Sequence, residues 1–168
     1  MKKHIYKDII LTGSAGLSGA LELAAGDPER MRERFPGHML RQISELEKNL
    51  KPSGFSLGDE DAYIREIGKK GLSAALWDMG EELGTGFSVF ADRFPVSQLT
   101  VEICELFGAD PLKVSSEGCF LACTANGNEL CGRLKAQGAD AVIIGHTESS
   151  RGKVLVMGEI RRFFDKPR

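Results

Sequence analysis

An α/β fold, with helices packed against a central mixed sheet in a single domain, is what this sequence predicts, and three observations predict it. The elements read in the order strand, several helices, strand, helix, strand, helix, strand, strand, which is the alternation of an α/β layer fold. The run Ala139–Ile144 is apolar throughout, as a strand covered on both faces would be. The chain has 168 residues, of which 42% are hydrophobic and 27% charged, enough for one core without metal or disulfide staples.

Taken in order, Ile5–Leu11 mixes β-branched and aromatic residues and stops at Thr12-Gly13, a strand entering a loop. Leu17–Ala25 is small and apolar and ends at Gly26-Asp27-Pro28, a short helix with a stop signal. Met31, Phe35, Met39, Ile43, Leu46 and Leu50 recur every three to four residues, an amphipathic helix that Pro36-Gly37 is placed to break. Lys51-Pro52-Ser53-Gly54 reads as a loop, too short for a domain linker, and Asp59-Glu60-Asp61 as the acidic start of a short helix. Leu72, Ala75, Leu76, Met79 and Leu83 form a further core-facing stripe closed by Gly84. Thr85–Ala91 alternates as a strand does, and Ser97 caps a helix that buries Leu99, Ile103, Leu106 and Phe107 before Gly108. Strands at Gly118–Thr124, Ala139–Ile144 and Val154–Met157, with a helix around Glu129–Gln137, complete the reading.

Charge and composition exclude several functions. Lys and Arg number 22 against 24 Asp and Glu, a formal charge of −2, which is not the electrostatic footprint of a nucleic-acid binder. No apolar stretch is long enough to span a membrane, and the N-terminus lacks a signal-peptide h-region, so a cytoplasmic protein is expected. The four cysteines Cys104, Cys119, Cys123 and Cys131 do not have zinc-ligand spacing and read as small buried hydrophobes in a reducing compartment.

The segments able to carry chemistry are few. Gly13, Gly16 and Gly19 form a G-x-x-G-x-x-G turn between a strand and a helix. Glycines there let a phosphate approach backbone N–H groups, although the spacing is neither the dinucleotide fingerprint nor the P-loop, and close packing is the competing explanation. Lys69 and Lys70 precede Gly71 at the start of a helix, where mobile ammonium groups can meet phosphate. Glu117 opens a strand after Ser115-Ser116, and His146 follows the apolar Ala139–Ile144 strand, at a position where α/β folds commonly place site residues. The carboxylates do not fall in a metal-binding pattern, and neither serine nor cysteine is paired with His146 by a local signature.

Gly71-Leu72-Ser73-Ala74-Ala75-Leu76-Trp77-Asp78-Met79-Gly80-Glu81 resembles the glycine-led helix of the AIR synthase-related superfamily, the group of PurM, HypE, thiamine-monophosphate kinase and selenophosphate synthetase. The resemblance continues through Gly84-Thr85-Gly86-Phe87, Phe94-Pro95-Val96, Glu102–Leu112, Ser116-Glu117-Gly118 and Ala141–Gly145. Upstream, Asp8–Gly13 with Gly16 and Gly19 resembles the segment that opens the C-terminal domain of these proteins. The ordered series covers nearly the whole chain and is most similar to the HypE branch, a hydrogenase maturation factor.

The resemblance implies a PurM C-terminal domain-like fold with partial ferredoxin-like topology, spanning 1–168 as one domain. It also implies that the nucleotide-binding domain of complete members is absent. ATP and Mg²⁺ are implied only for complete members, with no cofactor for this chain in isolation. The family's acidic D-x-T-x-G-G stretch falls on Glu66–Gly71, with the acid kept as Glu66 but Gly68 and Lys70 replacing the Thr and the first Gly. Ser18 stands where His is frequent, and Phe163–Arg168 closes the sequence where HypE has a terminal cysteine, so that chemistry is not implied here. The expectation is one wall of an ATP or phosphate cleft, inactive alone, working with a separate nucleotide-binding domain or as a homodimer. The alternatives are a small enzyme that binds a phosphorylated ligand and a self-associating interaction module.

Overall fold

In the computed structural model, which describes residues 4–49 and 62–168, the chain opens with β1 (Asp8–Thr12) and then three helices, α1 (Leu17–Gly26), α2 (Pro28–Arg34) and α3 (Gly37–Asn49). It continues through β2 (Tyr63–Ile67), α4 (Gly71–Leu83), β3 (Gly86–Phe90), α5 (Gln98–Leu106), β4 (Cys119–Thr124) and α6 (Gly127–Ala136). It ends with β5 (Ala141–Glu148), β6 (Lys153–Met157) and β7 (Ile160–Phe163). The strands form one mixed sheet in the order β2-β4-β1-β5-β3-β6-β7, in which only the β3–β6 pair is parallel.

Two nested crossovers organise the sheet. The β4–α6–β5 unit places β1 between its strands, and the β2–α4–β3 unit brackets all three; each is a split βαβ unit, the motif that ferredoxin-like sheets also use. The helices therefore cover opposite faces. Leu72, Leu76 and Met79 of α4 pack on Ile9, Leu11, Ile67, Phe87, Leu121 and Ile144. Leu130, Cys131 and Leu134 of α6 pack on Ile10, Ala122 and Ala141. Being central, β1 is sealed on both faces, and Ile9, Ile10 and Leu11 are fully buried. A third cluster joins α1, α2, α3 and α5 through Leu21, Met31, Phe35, Ile43 and Ile103.

Local signals explain the element ends. Asp27 accepts a hydrogen bond from Arg30 N and Pro28 starts α2, so the chain turns sharply out of α1. Phe35 is extended ahead of Pro36, which separates α2 from α3 where the sequence indicated. Ser97 Oγ accepts from Thr100 N at the start of α5, and Gly84 closes α4 in the left-handed region.

The sheet is larger than expected. β2 occupies residues whose sequence predicts a short helix, β7 has no strand signal in the sequence, and β5 runs on to Glu148 instead of stopping at Ile144. β2 and β7 are edge strands that bury little, so neither shows the apolar run of a central strand. The Lys51–Gly54 loop and the Asp59–Asp61 helix start lie outside the described residues.

Candidate functional site

Three loops meet at one end of the sheet. Thr12 pairs with both Phe120 and Ala141, and Ile67 with Cys119, so the exits of β1 and β2 lie beside the entries of β4 and β5. The Gly13–Gly19 loop, the Gly68–Gly71 turn and the Ser115–Gly118 loop consequently converge. Hydrogen bonds join them: Gly16 N donates to Ser116 Oγ at 2.7 Å, and Ser116 N donates to Gly68 O at 3.3 Å. Ser18 Oγ donates to Ser115 Oγ at 3.0 Å and accepts from Glu117 N at 2.9 Å.

The glycines serve this convergence directly. Gly16 has φ +75° and Gly71 φ +82°, the left-handed region that disfavours any side chain. A Cβ at Gly16 would fall on the Pro111 carbonyl oxygen, and one at Gly71 would come within 2.5 Å of Val114 O. The 111–116 segment is thus gripped between the N-terminal ends of α1 and α4. The loop N–H groups are engaged in the same packing: Gly13 N donates to Asp140 O, Ala15 N to Pro95 O and Gly19 N to Ser115 O. An anion at this end would meet mainly side chains and the remaining donors.

Four predicted site residues present their side chains to solvent at or next to this end: Glu66, Lys69, Lys70 and Glu117 are all exposed. Glu66 pairs in register with Phe120, while its neighbour Arg65 faces the α4 side of the sheet and ion-pairs there with Asp78 and Glu82. Two concavities open nearby. A cleft of about 470 Å³ has Gly13, Ser14, Phe94, Ser97 and Asp140 in its walls. A larger one of about 860 Å³ includes Lys70 and Ser73.

His146 is not brought to this site. It lies inside β5, opposite Asp8 and Ser88, five residues along the strand from Ala141 and so roughly 15 Å away. The reading that placed it after the strand is corrected by the longer β5. Its Nε2 is 3.3 Å from Glu148 Oε1, which also accepts from Ser88 Oγ at 2.7 Å.

Sequence reasoning missed two polar groupings. The buried Ser18, Ser115 and Ser116 hold the loops together, and only their adjacency to Glu117 and the glycines hinted at it. The other is the Tyr63–Arg65–Asp78–Glu82 cluster; the i, i+4 spacing of Asp78 and Glu82 on one helix face was its signal. Burial, then the hydrogen bond to Glu82, pushes the Tyr63 phenol up to about 12.

All four cysteines are free and buried, as expected of small hydrophobes. Burial pushes Cys119 up to about 11 and Cys123 up to about 12, so both are protonated thiols near neutral pH. Among the described residues, no group of three or more His, Cys, Asp or Glu side chains is placed to hold a metal ion. The described residues therefore do not assemble a Mg²⁺ centre of their own.

The fold is a mixed α/β arrangement of the HypE/PurM-like kind. No family model matches the chain. Its relatives are HypE and hydrogenase expression/formation proteins, and its fold is theirs. A hydrogenase expression/formation protein of Methanocaldococcus jannaschii is 32% identical over 109 residues, 62% of this chain and 32% of that protein. The carbamoyl dehydratase HypE of Rhizobium leguminosarum bv. viciae is 24% identical over 142 residues, 82% of this chain and 39% of that protein.

Among solved structures, HypE in complex with ATP superposes with a TM-score of 0.75 at 17% identity, covering 99% of this chain and 52% of that one. A chain of the HypE–HypF complex gives 0.73 at 18%, covering 98% and 55%. ThiL with AMPPCP and TMP gives 0.58 at 18%, covering 96% and 50%. The chain thus spans about a third to two fifths of these curated relatives and about half of each of these solved chains. Among the described residues no helix is long and apolar enough to cross a membrane.

Proposed function

We propose that the sheet end bearing Gly13, Gly16, Gly19, Glu66, Lys69, Lys70, Gly71 and Glu117 is one wall of a phosphate-handling cleft of the HypE type. A second protein surface, from a separate nucleotide-binding polypeptide or a second copy, completes it. The observation that carries the reading is the convergence of three loops, distant in sequence, through the Gly16–Ser116–Gly68 hydrogen bonds, in a fold shared with an ATP-bound HypE.

The chemistry agrees with the geometry. Lys69 and Lys70 stand just before the N-terminus of α4, where the helix dipole and two ammonium groups both favour an anion. Their role is to attract and orient phosphate; phosphoryl transfer also requires neutralisation of the developing charge. The described acids at this end, Glu66 and Glu117, do not supply that alone, so the purified chain by itself does not turn over ATP. His146 lies outside the cleft and has no part in it.

A phosphate-release assay with the purified chain, ATP and Mg²⁺ checks this. The expected result is release no faster than the protein-free blank. Steady release that Glu66→Ala abolishes would mean a complete site and would remove the reading.

A further inference from the structure

The larger cleft lies beyond the Gly68–Gly71 turn, between the start of α4 and the chain's last residues, and its walls carry an uncommon set of charges. Lys70, Lys113, Arg162, Lys166 and Arg168 line it, against the two acids Asp110 and Asp165, a side-chain balance of 5 − 2 = +3. The whole chain carries −2. On the same side of the sheet, Lys153 is paired with Glu81, and Arg65 with Asp78 and Glu82. Among the described residues, none of the five cleft cations is within ion-pair distance of an acid. Five cations drawn from three separate segments repel one another unless an anion offsets them.

The cleft floor is built rather than loose. Phe164 N donates to Lys153 O at 2.9 Å, and the Phe164 ring meets Phe87 edge-on at 5.5 Å, which anchors the terminal segment to the core. Lys153 in turn lies over Trp77 and bonds Glu81, tying β6 to α4. Leu112, Leu155 and Phe163 add apolar wall, and Phe163 is 75% exposed. A volume of about 860 Å³ suits a small organic molecule.

We infer that this cleft is a binding site for a small polyphosphorylated anion, held by Arg162, Lys166 and Arg168 of the terminal segment together with Lys70 and Lys113. Arginine supplies planar forks for phosphate oxygens and lysine supplies point charges. Lys70 borders both places, but the cations of β7 and the terminal segment take no part in the sheet-end wall, so an Arg162/Lys166 variant separates this inference from the HypE-type reading.

The test is calorimetric titration of the full chain with inorganic tripolyphosphate, alongside the double variant Arg162→Ser/Lys166→Ser. A charge-matched control, Arg32→Ser/Lys48→Ser, changes exposed cations on α2 and α3. The expected result is saturable binding that weakens with added salt, falls roughly tenfold or more in the Arg162/Lys166 variant, and is unchanged in the control. Thermal unfolding of the variant verifies that its fold is intact, as expected for exposed positions. Absence of heat at millimolar tripolyphosphate would overturn the inference, as would equal loss in both double variants or full binding by the Arg162/Lys166 variant.

Discussion

Gly16 holds the geometry of the site end at a single residue, since its left-handed backbone and the Pro111 carbonyl both exclude a side chain. Gly16→Ala is expected to lower stability by about 2 kcal/mol or more, combining backbone strain with overpacking. For a chain of this length that corresponds to roughly 4–8 °C in Tm, measurable by urea or thermal unfolding. The glycine spacing was visible in the sequence, but its meaning was not. G-x-x-G-x-x-G at a strand-to-helix junction suits both phosphate approach and close packing, and only the positions of Pro111 and Val114 show how much packing it serves. The cysteines were fully legible, because their spacing excluded metal and their neighbours were apolar. With thiols raised to about 11 and about 12 inside the core, Cys119 and Cys123 are expected to resist a thiol reagent at pH 8 in the native protein. Both should react fully once urea unfolds it.

At the scale of elements, β2 is an edge strand fastened to α4 by Tyr63 and Arg65. The Tyr63 hydroxyl donates to Glu82 Oε2 at 2.5 Å, and Arg65 bridges Glu82 and Asp78. Tyr63 favours its protonated form when folded, so its contribution is fully present below the ordinary tyrosine pKa of about 10. That contribution is lost as pH rises towards about 12. Stability should therefore decline across that alkaline window, and Tyr63→Phe should flatten the decline in unfolding curves taken at successive pH values. Arg65→Met, which breaks a partly exposed pair of ion pairs, is expected to cost about 1 kcal/mol or less.

Neither this strand nor β7 was legible, for a physical reason. Tyr63-Ile64-Arg65-Glu66-Ile67 and Ile160-Arg161-Arg162-Phe163 mix charge into short runs because an edge strand is half-wet, and charge there discourages pairing with other chains. The central strands and the α4, α5 and α6 helices are legible as elements from their apolar faces, although the sequence reading ends β5 four residues early.

For the whole molecule, the ordered similarity to HypE is legible in the sequence because it lies in a series of short motifs, and the fold agrees with it. The convergence of loops separated by about a hundred residues was not readable, since register and crossover order decide it and no local pattern encodes them. The same holds for His146, which a bulge in the β1–β5 ladder and four further strand residues carry to the far end of the sheet. The functional proposal rests on one sheet end, where the three loops converge, being shaped for phosphate. The most direct measurement is a backbone amide NMR titration of the chain with Mg²⁺-ATP at millimolar concentration. The expected result is shifts in 13–19, 66–71 and 115–118 that are lost with Lys69→Ser/Lys70→Ser, whether or not resonances of the 162–168 cleft also move. Unmoved resonances in all three loops, with shifts elsewhere or none at all, would contradict it.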